Sequence, residues 1–485
     1  MDDMKVEMMP FDEMIEGTNE IIVALLNKDV DDALLIAEKH YERSLYHSIA
    51  RTLVLVIRYI ARQDADLIQI TSDAVRQSVN LINSRKIQRS FLSRASSMIF
   101  TQDYNKYKDE ECTALLLSAG IDAVSAAFVV ALNRSVSNFV QGALKMRSCF
   151  NKMKECEKIL KIKTNWNNEN ARIDFLTGTN AGLAGFELFI SFLPPRFIML
   201  LNFIGHSTDR ASGLARLQSI AQYQDSLWSA VVSIALGLYY GFAEYFYGVG
   251  ESDPKLFMNV TDRWVEKVAD SFLNPLINGM REMLCGNFEP AISHFNDYII
   301  FPRTVKALRF AGNWQNNWLY SLSWDWKAAS EHSKSLYLDC KWAPATFAFI
   351  HACNLSMIAH EDNNNQELMK EVIELLEETV RREMKFGGQK VFHINFVVEK
   401  AKFLVDNPDK IIYLPLHLMY FWNHFKIGSR RPGCLEMIQD NIDHEMKLVA
   451  DVDTITFFKF IKGVIFTHLD QPSEAMEHFN HVIDQ

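Results

Sequence analysis

The chain is poor in the two residues that turn-rich folds consume. Its 485 residues include 20 glycines and 12 prolines, about 7% together against a usual share of roughly 12%. Strands joined by tight turns need both, so the shortage argues for a mostly helical protein. Cysteine is scattered: Cys112, Cys149, Cys156, Cys285, Cys340, Cys353 and Cys434 are odd in number and contain no CxxC pair. That pattern fits reduced thiols better than a disulfide framework. The sequence contains no GxGxxG after a strand, no GxxxxGK[ST], no HExxH and no GxSxG, so it carries no familiar nucleotide-binding, zinc-protease or serine-hydrolase signature. The uncharged run LWSAVVSIALGLYYGF, residues 227–242, has sixteen residues, short of the ~20 that a membrane span needs. The start, MDDMKVEMMPFDEM, is acidic and lacks both the apolar core of a secretory signal and the arginines of a mitochondrial presequence. A cytoplasmic protein, with the nucleus also open to it, is the expectation.

A formal net charge of −10 disfavours nonspecific binding to nucleic acid or to anionic lipid. Hydrophobic residues make up 48% and charged residues 23%, as in soluble globular proteins. The chain is too long for one compact core, which predicts several domains or a repeat array.

Helical periodicity begins near Met14. In EIIVALLNKDVDDALLIAEKHYERSLYHSIARTLVLVI, apolar residues recur every three or four positions, with a polar turn at Lys28-Asp29 and then Ala33. The same unit returns in GMREMLCGNFEPAISHFNDYI, with a turn at Gly286-Asn287, then Phe288, Ala291 and Phe295. WLYSLSWDWKAASEHSKSLY places Trp326 and Ala329 after Asp325, and FKFIKGVIFTHLDQPSEAMEHFNHVI places Ala475 and Phe479 after Pro472. Ala33, Ala291, Ala329 and Ala475 thus occupy one equivalent position, where a small residue on the second helix lets the first pack closely. The step from Ala291 to Ala329 is 38 residues, near the ~34-residue helix–turn–helix unit of tetratricopeptide repeats. Polar stretches at 163–174, 358–370 and 385–392 punctuate the chain as loops. The reading is an all-α α-solenoid of tetratricopeptide-like hairpins. It has an N-terminal repeat region over 1–110, an irregular apolar middle over 111–250 and C-terminal repeats over 251–485, continuous with one another.

LPPRFIMLLNFIGHSTDRASGLARLQSIA resembles a block of the tetratricopeptide repeat protein 39 family, which is related to the fungal inclusion body clearance proteins. Leu193, Pro194, Pro195 and Arg196, the Phe203-Ile204-Gly205 step, and Gly213 with Leu214 match that block. His206 and Thr208 depart from it by replacing an aromatic and a glycine. FVQGALKMRSCF (139–150), LPLHLMYFWNHF (414–425) and FNHVI (479–483) resemble further blocks in the same order. The resemblance implies a non-enzymatic adaptor linked to lipid metabolism or to clearance of inclusions, and it brings no catalytic residue, metal or cofactor with it.

The candidate sites each have two readings. Trp314, Trp318, Trp324, Trp326 and Trp342 crowd one region, and serve either as anchors for a bound peptide or as packing between repeats. Lys145 and Arg147 open a basic stretch through Lys152, Lys154, Lys158, Lys161 and Lys163. It is either a docking surface for an acidic peptide or anionic membrane, or a solvated helix face diluted by Glu155 and Glu157. His351, Cys353 and His360 match no standard zinc spacing, and they and the pair His478/His481 are read as ordinary helix residues. Trp314, Trp318, Trp326, Lys145 and Arg147 are the partner-binding candidates.

Two functions follow. One is a scaffold that binds proteins in a solenoid groove. The other is a lipid- or lipid-droplet-associated protein whose apolar helices, 181–204 and 227–242, bind or insert into lipid. FISFLPPRFIMLLNFIG (189–205) bears on the choice. Even extended back to Gly182, its amino-side arm has twelve residues, and its carboxyl-side arm from Phe197 to Ile204 has eight, both too short to cross a ~30 Å hydrocarbon core. The prolines read instead as the first turn of a buried helix that Gly205 closes.

Overall fold

The computed structural model describes residues 7–27, 30–62, 64–86, 103–133, 135–192, 209–223, 226–267, 270–301, 308–341, 343–363, 365–386 and 389–485. The chain is an all-α helical-repeat protein in which helices pack on their sequence neighbours, as in an α-solenoid. Strand pairing among the described residues is confined to Lys385–Phe386 with Gln389–Lys390. Two compact units can be told apart, one built on Met1–Leu236, the other on Gly237–Lys385 and Gln389–Gln485.

The first unit begins with α1 (Phe11–Asn27), α2 (Val30–Glu38), α3 (Leu45–Arg62) and α4 (Asp66–Arg85). It continues with α5 (Asp109–Leu132), α6 (Val136–Ile162), α7 (Glu169–Ile190) and α8 (Arg210–Ala221), and the helix α9 (Leu227–Leu238) follows. Starts are set locally: Ser135 accepts from Asn138 N at 3.2 Å and Asn168 from Ala171 N at 3.1 Å, each satisfying an amide that the first helical turn leaves unpaired. The irregular middle owes its cohesion to a core of Cys112, Leu116, Phe150, Cys156, Phe175 and Leu183, all buried, from α5, α6 and α7. Its apolar helices face one another, which is why their sequences lack a clean polar stripe.

In the second unit α10 (Pro254–Lys267) is followed by the hairpins α11 (Leu273–Leu284) with α12 (Phe288–Ile300), and α13 (Phe310–Leu322) with α14 (Trp326–Asp339). Next come α15 (Pro344–Glu361) with α16 (Gln366–Arg381), then α17 (Phe392–Asp406), α18 (Leu414–Phe421), α19 (Phe425–Gly428) and α20 (Cys434–Met446). The last hairpin is α21 (Val452–His468) with α22 (Pro472–Ile483).

Three of these hairpins share one turn. Gly286, Trp324 and Asp470 adopt φ of 84°, 63° and 57°, and the following N–H returns to the helix. Asn287 N reaches Glu282 O, Asp325 N reaches Tyr320 O and Gln471 N reaches Phe466 O, each at 2.9 Å. This left-handed closure satisfies carbonyls at the helix end. Glycine is required at 286, where a Cβ would collide with the Arg430 carbonyl. Elsewhere the same closure tolerates Trp and Asp.

The alanine five residues beyond each turn residue is buried: Ala291 at 0%, Ala329 at 0% and Ala475 at 4% exposure. Twelve residues upstream of each lies its counterpart on the first helix, Gly279, Asn317 and Gly463. Four residues downstream lie Phe295, Ser333 and Phe479. Gly279 takes the ring of Phe295 and Gly463 that of Phe479. Ala33 sits at the same register in α2, and here the sizes are exchanged. Ile21 on α1 is large and Ala37 on α2 small, and all three belong to one buried cluster. A hairpin needs the summed volume across the pair, so it is indifferent to which helix supplies the bulk.

Among the described residues, two helices are long and apolar enough to cross a membrane by length and composition, Asp109–Leu132 and Leu227–Phe246. The second exceeds the sixteen residues counted in sequence because α9 continues through a π turn, Tyr239–Ala243, into Glu244–Phe246. Trp228 near its start packs beside Gly178, and Gly241 near its end lies against Phe257 and Met280, the contacts of a helix within a folded protein.

Candidate partner-binding surfaces

The tryptophans are mostly interior. Trp318 is 3% and Trp326 1% exposed, while Trp314 is half-buried. Trp318 stacks on His424 with ring centroids 4.2 Å apart, and Trp314 lies 5.1 Å from Trp422. Trp326 meets Trp324 at 5.0 Å. Burial among these rings lowers the His424 pKa to about 3, so the stacked imidazole is neutral. Trp314 and Trp318 join α13 to the turn between α18 and α19, the packing role of the two that the sequence allows. Trp342 lies outside the described residues.

The same helix α13 buries amides. Asn354 Nδ2 on α15 donates to Asn317 Oδ1 at 2.7 Å and to Ser333 Oγ at 3.0 Å. Ser333 Oγ in turn lies 3.1 Å from His351 Nδ1. Asn317 and Ser333 occupy the positions held by Gly279 and Phe295 one hairpin earlier, so a polar lock replaces a steric one. Paired amides cost little to bury, and unpaired they would be expensive.

The basic stretch divides in two. Lys163 is buried and donates to Tyr107 O at 2.8 Å and Asn165 O at 3.0 Å, with Asp109 at 3.5 Å. Lys152 pairs with Asp122, while Lys154 and Lys161 lie 3.0 and 3.6 Å from Glu157. Lys152 and Lys163 thus tie α6 and its end to neighbouring segments, whereas the Lys154 and Lys161 pairs lie within α6 itself. Lys145 is half-buried and Arg147 exposed. Arg147 joins Lys86, Lys152, Glu111 and Glu155 in lining a cavity of about 660 Å³. Burial, reinforced by Lys152, lowers the Lys86 pKa to about 8.

Unremarked in the sequence is a ridge on α17. Phe392 is 70% and Phe403 47% exposed, and with Phe396 they line a cavity of about 480 Å³. Phe396 stacks on Phe421 at 4.1 Å. The spacing of Phe392, Phe396 and Phe403 along one helical face was the available signal.

His351 and Cys353 are buried, and His360 lies 3.1 Å from Glu445. Among the described residues no group of three or more His, Cys, Asp or Glu side chains could hold a metal ion. Of the family-signature residues, Gly213 is buried, where a Cβ would approach Ala184 O at 3.4 Å. Leu193, Pro194, Pro195, Arg196 and Gly205 lie outside the described residues.

Comparison with known proteins agrees with the hairpin geometry. No solved structure matches the chain. Over 477 residues it is 24% identical to Tetratricopeptide repeat protein ttc-39B of Caenorhabditis elegans, covering 95% of this chain and 80% of that one. The profile of the Iml2/Tetratricopeptide repeat protein 39 family matches residues 20–469, and with that span the chain belongs to this family.

Proposed function

We propose that the protein is a non-enzymatic adaptor whose helical repeats bind other proteins in the cytoplasm. The observation that supports this is the recurrent hairpin in a chain of the Iml2/Tetratricopeptide repeat protein 39 family. Stacked hairpins present a preformed surface, so a bound partner costs little ordering entropy. By the same family tie, the partners belong to lipid metabolism or to the clearance of protein inclusions. The surface around Lys145 and Arg147 is the first to test. Affinity purification of the wild-type chain recovers a reproducible set of partners, and the Lys145→Glu/Arg147→Glu variant, folded by circular dichroism, loses part of it. A folded variant that retains every partner removes this surface from the reading, and a wild-type chain that captures none removes the adaptor.

A second reading, peripheral association with lipid, is favoured by one helix face. Val231, Ile234 and Leu238 on α9 are 46%, 37% and 54% exposed at helical spacing and without a charge between them. Flotation with phospholipid vesicles or lipid droplets tests it. A detergent-free chain that stays at the bottom of the gradient ends this reading.

A further inference from the structure

Helix α17 buries Ile394, Val397, Val398, Ala401 and Leu404 and turns the opposite face outwards. On that face Phe392, Phe396, Glu399 and Phe403 follow one another at steps of four, three and four residues, the spacing of a single helical stripe. Phe392 and Phe403 stand exposed at its two ends, ~17 Å apart along the helix axis. Phe396 between them is half-buried and stacks on Phe421 of α18, with 8° between the ring planes. With Asn395, Glu399 and Lys400 the three rings bound a recess of about 480 Å³.

Two charged groups line the recess, and only one of them is answered. Glu399 takes Lys390 at 3.0 Å and Lys402 at 3.1 Å. Lys400 is half-buried, with its ammonium 5.5 Å from the centre of the Phe403 ring, and no carboxylate among the described residues pairs with it. Burial lowers its pKa, and the group that pulls the other way is the Cys353 thiol, which burial itself holds neutral. A half-buried ammonium without an anion is costly, and a carboxylate brought to it relieves that cost. Lys400 lies in the wall of an open recess, so a partner reaches it from outside. Around the recess Lys390, Lys400 and Lys402 outnumber Glu383 and Glu399, a local excess of positive charge on a chain of formal net charge −10.

We propose that this recess docks an amphipathic helix of a partner protein, with apolar side chains set among Phe392, Phe396 and Phe403 and an aspartate or glutamate of the same face paired with Lys400. The proposal rests on the reading of the chain as a protein-binding adaptor and names the kind of segment it holds. Rings gathered on one rigid helix suit a hot spot, since aromatic side chains bury a large area while losing few rotamers. The stripe has the spacing of a second helix laid along it. A bilayer surface is flat and leaves a recess unfilled, whereas a side-chain knob enters it. A second copy of the chain brings another Lys400 and a Glu399 already engaged by two lysines, so it does not supply the carboxylate that Lys400 lacks.

The test selects binders to the full chain from a display library of four-turn helical peptides randomised over one face, after removal of those that bind the Phe392→Ser/Phe403→Ser variant. That variant trims two exposed rings and is checked as folded by circular dichroism. The selected peptides are expected to share apolar residues at helical spacing and an acidic residue on the same face. Fluorescence anisotropy with the best of them should show affinity lowered at least about tenfold by the Phe392→Ser/Phe403→Ser pair and about three- to tenfold by Lys400→Gln. Replacing the peptide's acid by its amide should cost a similar factor on the wild-type chain and nothing further on Lys400→Gln, as one shared contact requires. Selected peptides without an acidic residue, additive losses, or no peptide that prefers the wild-type chain overturns the proposal. A dimer in sedimentation equilibrium that the phenylalanine variant breaks overturns it in favour of a second copy. Flotation with phosphatidylserine vesicles that the same variant loses overturns it in favour of a membrane. If no peptide is selected while the wild-type chain still captures protein partners, this inference alone falls. If the chain captures none, the adaptor reading falls.

Discussion

A Cβ built on Gly279 would sit 2.7 Å from the ring of Phe295, which is 0% exposed. The first helix of the hairpin has given up a side chain so that the second can bury a ring, worth about 1.5–3 kcal/mol by transfer alone. A Cβ on Gly463 would come as close to the ring of Phe479, at 2.6 Å, although that ring is only half-buried.

Gly279→Ala should destabilise the second unit by roughly 1–3 kcal/mol, because a rigid ring has no nearby space to move into. Phe295→Leu should cost less than Phe295→Ala. In the double variant Gly279→Ala/Phe295→Leu the two costs should fall short of additive, since the smaller side chain frees the room the methyl takes. Urea denaturation followed by tryptophan fluorescence measures all four chains. Strict additivity would show that the two residues do not share one space.

Asn354 offers the polar counterpart. Asn354→Ala leaves Asn317 and Ser333 without their donor in a dry interior, with an expected loss of about 1–3 kcal/mol. Asn317→Ala in that background should cost little more, because its partner has already gone. Full single-mutant costs in the double variant would count against the lock.

Acid should open the second unit first. Burial holds His351 at a pKa of about 4 and His424 at about 3, below the ordinary value near 6.5. The unfolded chain takes up protons on these rings before the folded one does. Their contribution is therefore intact above pH ~6.5 and is lost as pH falls towards 4, about 2 kcal/mol for each ring at pH 5. In the first unit His47, at about 4, acts in the same sense. Asp174 acts in the opposite one, since its folded pKa is raised to about 7 and its stabilising share lies on the acid side, fading as pH rises to 7. Hydrogen exchange at pH 7 and pH 5, corrected for intrinsic rates, should show protection lost earlier around His351 and His424 than around Asp174. His424→Gln should flatten the dependence.

Thiol labelling should be sharply graded. Cys285 is exposed and Cys340 half-buried, whereas Cys112, Cys149, Cys156, Cys353 and Cys434 are buried. Burial also pushes the thiols of Cys112, Cys149 and Cys434 up to about 12, which removes the reactive thiolate. Iodoacetamide on the native chain should modify Cys285 first and leave the five buried thiols intact until denaturant is added, as peptide mass spectrometry would record. Early labelling of Cys156 would contradict the packing of α6 against α5 and α7.

Much of this was written in local sequence. The low glycine and proline content, the period of the apolar residues and the alanines at 33, 291, 329 and 475 specify helical hairpins, because a helix advertises its buried face by spacing alone. Register within a hairpin follows from the turn, whose closure is a matter of a few neighbouring residues. The pairing of bulk was not legible in the same way. Gly279, Asn317 and Ile21 occupy one structural position with three sizes and two polarities, each matched only by what faces it across the hairpin. Nor could composition say that Trp318 and Trp326 are interior while Phe392 stands exposed, since all are aromatic residues on helices. Asp174 is the plainest case. Its sequence neighbours make it an ordinary helical aspartate, and only Tyr46, Trp228 and the wall from α1 turn it into a buried acid. Helix formation is decided over a few residues, whereas burial and charge environment depend on groups brought from more than a hundred positions away.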